Sequence, residues 1–336
     1  MRTTFISTRA ISEATRLTLI KSQVNLANAI KEADSGRHAD VGVALGYKTG
    51  TAVSFRQDIT RLESIQKSND VANMRLEATQ LTLKDLHASA IKFNQAALLY
   101  KGNPNGALST VEAKAAFNSF MDMLNTANDG AYLFAGINSD VKPVTYAGAA
   151  QASVQTAFSA LGVPANISEA DMATFLDGPF ATLFNDTNWK ANWSQASDTN
   201  IKSRISTNEM IDTSTNANEE PMRLIMQAAT MMSDLSNVDL KPDTLKVVAD
   251  RAQALLSRAI TGLSNTQGTL GISEQRIADS NERMTIQVDM ITNRVNMLEG
   301  VDPNEAALRV TALEQQIELS YSMTGRLQNL NILDYL

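Results

Sequence analysis

The sequence contains no cysteine. Disulfides, thiolate chemistry and cysteine-ligated zinc are therefore excluded. Histidine is nearly as scarce, with only His38 and His87. Neither is accompanied by a nucleophile and a carboxylate at a spacing that would make it a catalytic base, and no HExxH, EF-hand or GxSxG pattern occurs. The run Gly42-Val43-Ala44-Leu45-Gly46-Tyr47-Lys48-Thr49 superficially suggests a phosphate loop, but its spacing is wrong and no glycine precedes the lysine, so it reads as a plain loop. Aromatic residues make up 5%, with two tryptophans, which leaves few large rings to fill a wide globular core. No stretch approaches the roughly 18 apolar residues of a membrane span, and Met1–Thr8 lacks the apolar segment of a cleaved signal peptide. Basic residues stand singly, as at Lys21, Arg56, Arg75 and Arg294, in a chain of net charge −7, so no stripe exists to neutralise a phosphate backbone. The expectation is a non-enzyme with no cofactor or metal and no nucleic-acid or membrane partner. It is made soluble in the cytoplasm and, if exported, leaves without a cleaved signal.

What the chain does have is helical pattern. Its 336 residues suffice for two or three domains and a sizeable core, and the helix formers Ala, Leu, Met, Gln, Glu and Lys fill both flanks. From Ala10 to Ala33, the residues Ala10, Ala14, Leu17, Ile20, Val24, Ala27 and Ile30 recur at three- and four-residue steps, one face of a helix. This helix and the last one are expected to order on assembly with neighbouring subunits, the alternative being a stable hairpin of the two. Asp34-Ser35-Gly36 reads as its stop, with Gly36 as C-cap, and the four glycines between 34 and 50 predict a loop.

The strongest signal comes next. Phe55, Asp58, Leu62, Ile65, Asn69, Ala72, Leu76, Thr79, Leu83, Leu86, Ala90, Phe93 and Ala97 keep a strict seven-residue repeat, the seam of a coiled coil. A second stripe of Met74, Ala78, Leu81 and Ala88 flanks it and implies a helix that meets more than one neighbour. Asn69 and Thr79 interrupt the seam, either as tolerated polar positions or as register controls of the kind a buried Asn supplies. A turn at 102–106 and a helix over about 109–127 lead to Tyr132-Leu133-Phe134-Ala135-Gly136.

Residues 137–221 differ in texture. They hold Pro143, Pro164, Pro179 and Pro221, both tryptophans (four residues apart, at 189 and 193), and polar runs such as Asp212-Thr213-Ser214-Thr215-Asn216-Ala217-Asn218. An inserted domain of short strands and small helices is expected, one on which the helical part does not depend, with Trp189 and Trp193 in its core. Helical pattern returns over 245–263. Ile277, Met284, Val288, Ile291, Val295 and Leu298 then form a second seam. Asp302-Pro303-Asn304-Glu305 is a helix start, with Asp302 as N-cap, Pro303 in the first helical position and Glu305 placed for a capping box. The last helix puts Ala306, Val310, Leu313, Ile317 and Leu327 on one face, and the chain ends with Leu330, Ile332, Leu333, Tyr335 and Leu336.

The fold class expected is mainly α. A long antiparallel helical-bundle or coiled-coil rod is formed by the N- and C-terminal segments, with an inserted mixed α/β or β-rich domain at the tip. The divisions are a terminal helical region (1–48 and 300–336), a helical core (49–136 and 222–299) and the inserted domain (137–221). The packing seam comprises Leu62, Ile65, Leu76, Leu83, Leu86, Phe93, Met284, Val288, Ile291, Val295 and Leu298. A segment for assembly comprises Leu313, Ile317, Leu327, Leu330, Leu333 and Leu336.

Three stretches carry a resemblance. The first helix with Asp34-Ser35-Gly36-Arg37 resembles the flagellin-superfamily pattern of a helix ending in a Thr/Ser-Gly-Lys/Arg-Arg element. Tyr132-Leu133-Phe134-Ala135-Gly136 matches a motif of flagellar hook-associated protein 3 sequences. Leu319-Ser320-Tyr321-Ser322 through Leu330-Asn331-Ile332-Leu333-Asp334-Tyr335-Leu336, with Val301-Asp302 ahead of the last helix, resembles that family's closing segment. The likeness covers roughly 1–136 and 222–336. It departs at Ala39-Asp40-Val41-Gly42, where the family commonly has Ser-Asp-Asp-Pro. It implies a structural subunit of the flagellar axis at the junction of hook and filament, passed unfolded through the export channel. Its implied partners are other copies of itself in a ring, the adjacent hook-side junction protein, flagellin, and an export chaperone on the C-terminal helix. Flagellin itself is the nearest rival, but its early Ala-Gly-Leu-Ala-Ile stretch and its Gln-Ala-Asn-rich, Leu-Leu ending are absent here. A cytoplasmic coiled-coil scaffold would fold back through a short tip instead of some 80 residues of different texture, and an enzyme would need a convergent polar site.

Overall fold

The computed structural model of the chain describes residues 8–102, 110–235 and 239–329. Helix α1 spans Thr8–Ser35 and stops where Gly36 takes a φ of 65°, a left-handed conformation that glycine enters without a Cβ clash. The glycine-bearing stretch after it is more ordered than a loop. Helix α2, Val41–Leu45, is capped by Asp40, whose carboxylate accepts the Val43 N–H. One tight turn follows at Gly46–Lys48, and α3 then runs unbroken from Thr49 to Gly102. Helix α4 covers Thr110–Leu124.

Strands β1 (Ala127–Asn128) and β2 (Ala131–Tyr132) form a two-residue antiparallel pair. They turn through Asp129 and Gly130, both at positive φ, as a tight hairpin requires. Helices α5 (Ala149–Ser159), α6 (Glu169–Phe175) and α7 (Asp186–Asn192) follow. A second antiparallel pair, β3 (Lys202–Arg204) with β4 (Met210–Asp212), comes next. Helix α8 spans Glu220–Thr230, α9 Pro242–Glu299 and α10 Pro303–Asn329. The two separate helical patterns at 245–263 and 277–298 thus belong to one helix. Asp302 caps α10 by accepting the Asn304 N–H at 2.8 Å. Glu305 does not close a capping box, because its carboxylate pairs instead with Arg309, 3.0 Å away on the next turn. The architecture is the expected helical bundle with small strand pairs.

The chain divides into two compact units. One takes in residues up to Glu63 and from Thr285 on, the other Ser64–Met284. These divisions fall elsewhere than 48/49 and 299/300, and α3 and α9 each supply residues to both units. The 137–221 stretch has no core of its own. Its Val144, Phe180, Trp189, Trp193 and Ile205 belong to one buried cluster with Leu76, Leu83 and Leu86 of α3, Phe120 of α4, and Leu256 and Leu263 of α9. Removing it would strip the α3 seam of part of its cover. Trp189 and Trp193 stack at 5.3 Å inside that cluster, and the Trp189 indole N–H donates to Asn218 Oδ1 at 3.1 Å.

Within the larger unit α3 and α9 run antiparallel, as their cross-links show. The Gln80 side chain donates to the Gln267 carbonyl at 2.9 Å. Asn69 Nδ2 donates both to Asn281 Oδ1 at 2.7 Å and to the Ile205 carbonyl at 2.9 Å. Ser280 reaches that same carbonyl at 2.6 Å. Asn69 is thus fully buried with its amide nitrogen shared between two other segments, the arrangement a register control would use, while its Oδ1 has no partner. Thr79 is the bland case, its hydroxyl satisfied by the Arg75 carbonyl one turn back on its own helix.

Candidate assembly surfaces

Among the described residues, the apolar surface divides into what is consumed inside the monomer and what is left over. Along α3 the seam is consumed. Leu62, Leu76, Leu83, Leu86 and Phe93 are buried and Ile65 is half-buried. On α9, Met284 and Val295 are buried, while Val288, Ile291 and Leu298 are half-buried. The second stripe of α3 is not consumed. Met74, Leu81 and Ala88 face solvent, and Ala78 is half-covered.

Helix α1 packs on α10, with Cα atoms within 8 Å, but not through the three–four repeat that stands out in the sequence. Ser22 and Ala29 are buried and Thr15, Leu19, Leu26 and Ala33 half-buried, whereas Ala14, Leu17, Ile20, Val24, Ala27 and Ile30 are exposed. Ala10 has no described side-chain environment. Both faces carry a three–four repeat, and the one turned outward is the more apolar. Small residues explain part of this choice, since interaxial distance follows the size of the side chains at the contact. Ser22 and Ala29 on α1 and the fully buried Ala306 on α10 admit a close approach that Leu, Ile and Val would prevent.

On α10 the predicted face is the packed one. Ala306 and Ile317 are buried, and Val310 and Leu313 half-buried. Leu308, Leu319, Tyr321 and Met323 are exposed on its other sides, and the sequence reading had not singled these out as surface. Of the assembly residues expected, the environment of the Leu327 side chain and all of Leu330, Leu333 and Leu336 lie outside the described residues.

Polar contacts fasten the pair at one end. The Val301 N–H donates to the Gly36 carbonyl at 2.9 Å and the His38 N–H to the Glu299 carbonyl at 3.0 Å. The links on either side of α1 and α10 are therefore joined backbone to backbone. The Glu299 carboxylate, 1% exposed, takes Arg37 at 3.2 Å and a bidentate fork from Arg56, which holds the Arg56 guanidinium above its ordinary pKa. Glu32 on α1 accepts Arg309 of α10 at 2.9 Å and the Ala39 N–H at 3.1 Å. Gln23 donates to the Tyr321 hydroxyl at 2.9 Å. His38 stands 3.8 Å from Glu32 and His87 3.2 Å from Ser264, each a structural contact.

Tyr132–Gly136 is a knot in the backbone of the larger unit. The Phe134 carbonyl takes the Ala217 N–H at 2.8 Å, the Ala135 carbonyl the Ser197 N–H at 2.9 Å, and the Tyr132 carbonyl the Arg75 guanidinium of α3 at 2.9 Å. Gly136 sits at a φ of 62°, and a Cβ there would lie 2.5 Å from the Ser197 carbonyl oxygen. The polar run Thr213–Asn218 is buried throughout. Thr213 bonds Ser203, Ser214 accepts the Ile201 N–H, and Asn216 and Asn218 hold the 196–200 segment. Sequence pattern missed it because a buried polar network has the composition of a turn and no periodicity.

Residues 6–139 match the family model described as the bacterial flagellin N-terminal helical region, and residues 253–336 that of the bacterial flagellin C-terminal helical region. No curated protein matches the chain. Among solved structures it is similar to one titled as a putative flagellar hook-associated protein from Vibrio parahaemolyticus. The TM-score is 0.53 at 9% identity, over 75% of this chain and 97% of that one, a likeness of fold. No helix among the described residues is long and apolar enough to cross a membrane.

Proposed function

The chain belongs to the flagellin superfamily by both of its terminal regions, and on that premise we propose that it is the subunit joining hook to filament and templating flagellin assembly. The coarser statement is plain: it is a structural component of the bacterial flagellum, of a family that works by self-association. The single observation that carries the finer reading is the Tyr132-Leu133-Phe134-Ala135-Gly136 segment, which matches hook-associated sequences and knots the backbone around Gly136. The fold likeness to a putative hook-associated protein supports the same reading.

In this reading the work is done by surface left over after folding. The outward stripe of α1, with Leu17, Ile20, Val24 and Ile30, and the exposed Leu308, Leu319 and Met323 of α10 are covered by neighbouring copies of the chain. The second stripe of α3 is covered in the same way. The hook-side junction protein and flagellin meet the two rims of the ring, and an export chaperone shields the C-terminal segment, Leu313 to Leu336, before assembly. The chain reaches the outside through the flagellar export channel without a cleaved signal.

Gene deletion tests this directly. The expected phenotype is cells with hooks but no filaments that shed flagellin into the medium, restored by the intact gene. Normal filaments on the deletion strain would refute the junction role. Loss of hooks as well would place the subunit further down the axis.

A further inference from the structure

We propose that the choice of which face of α1 lies against α10 is made by the polar pins at Glu299 and Glu32, against the apolar content of the two faces. The buried face holds Ser22, Ala29, Ala33, Thr15 and two leucines, and the outward face holds Leu17, Ile20, Val24 and Ile30. A helix free to turn about its axis settles with its more apolar stripe inward, so something withholds that stripe. The pins sit where they fix the rotation of α1. The carbonyl of Gly36, just past its C-terminal end, is bonded to Val301 in the link between α9 and α10. Arg37 is bridged to Gly300, and its guanidinium shares the buried Glu299 carboxylate with Arg56 of α3. One turn inside the helix, Glu32 is tied to Arg309 of α10 and to the Ala39 N–H. A helix bolted at its end and again one turn earlier has no rotational freedom left. A buried carboxylate is expensive unless fully partnered, so Glu299 enforces the one rotation that brings Arg37 to it. The inference concerns the single chain and stands whether or not the chain works at the hook–filament junction.

The absence of cysteine makes the test clean. Val24→Cys on the outward stripe and Ala29→Cys on the buried one are each introduced singly, and their maleimide labelling rates are measured at high dilution. They are placed in three backgrounds: the otherwise natural chain, R56M/E299M, which replaces the buried Glu299 carboxylate and its Arg56 partner by apolar groups, and E32Q/R309M, whose side chains are partly exposed and whose loss does not threaten the fold. In the natural chain Val24→Cys is expected to label at least about tenfold faster than Ala29→Cys, the difference between an open site and one reached by local opening. In either pin-breaking background the order is expected to invert, Ala29→Cys becoming the faster, with helical circular dichroism retained. An unchanged order would overturn the proposal and leave the close packing of Ser22, Ala29 and Ala306 as sufficient. Fast labelling at both positions would overturn it as well, because the pins would then hold the pair together without choosing its face.

Discussion

Leu83 and Leu81 sit two residues apart on α3, one with no exposed surface and the other 62% exposed. Leu83→Ala should lower stability by about 2–5 kcal/mol, the range for truncating a buried leucine, whereas Leu81→Ala should stay within about 0.5 kcal/mol. Thermal melts of the two variants check this, and equal shifts would mean the seam is not where the cohesion lies. Glu274 is a residue-scale case of another kind. One of its carboxylate oxygens is buried with no hydrogen-bond partner. Burial first, and the neighbouring charge of Glu77 second, raise its pKa above the ordinary carboxylate value. A raised carboxyl binds its proton more tightly folded than unfolded. The stability it contributes is therefore full below the unfolded value of about 4.3 and is lost as pH rises through the folded one. Glu274→Gln keeps the shape and removes the charge, so it should melt higher than the natural chain at pH 7, with the gap closing as pH falls toward 4. A gap independent of pH would mean that Glu274 does not titrate in the folded protein.

Among the elements, α3 and α1 show what a sequence does and does not disclose. On α3 a single stripe outweighs its rivals over six heptads, and Leu62, Leu76, Leu83, Leu86 and Phe93 on it are buried, whereas on α9 Val288, Ile291 and Leu298 are only half-buried. On α1 two stripes compete, and periodicity picks the more apolar one, which is the stripe left outside. The decision rests on Ser22 and Ala29 and on contacts to residues more than 250 positions away, such as Glu32 with Arg309, which no local pattern carries. The Thr213–Asn218 run was illegible for the opposite reason, since its order lies wholly in hydrogen bonds. An outward stripe whose Leu17, Ile20, Val24 and Ile30 stay 45–64% exposed leads to a sharp expectation. Leu17→Ser with Val24→Ser should leave the monomer's melt within about 0.5 kcal/mol per site and still abolish filament assembly when the variant replaces the natural chain in cells. A destabilised monomer would show that the stripe is part of the fold after all.

For the molecule as a whole, the shared core predicts that the 137–221 stretch is not dispensable. A chain joining Gly136 to Pro221 through a short flexible linker should lose most of its helical circular dichroism, because Leu76, Leu83 and Leu263 lose Trp189, Phe180 and Ile205 from their common cluster. A fully helical, cooperatively melting product would show that the helices hold together alone. The pairing of α1 with α10 also has a consequence in time. The Gln23–Tyr321 hydrogen bond joins residues 298 positions apart, so α1 emerges from the ribosome long before the surface it packs on exists. At about 5–20 residues per second the interval is roughly 15–60 s. An isolated helix of 28 residues with no partner spends that interval only partly formed, with both of its apolar stripes open to whatever binds nascent chains. Closing the contact afterwards means bringing together segments 298 positions apart, which by loop-closure entropy makes it a late one.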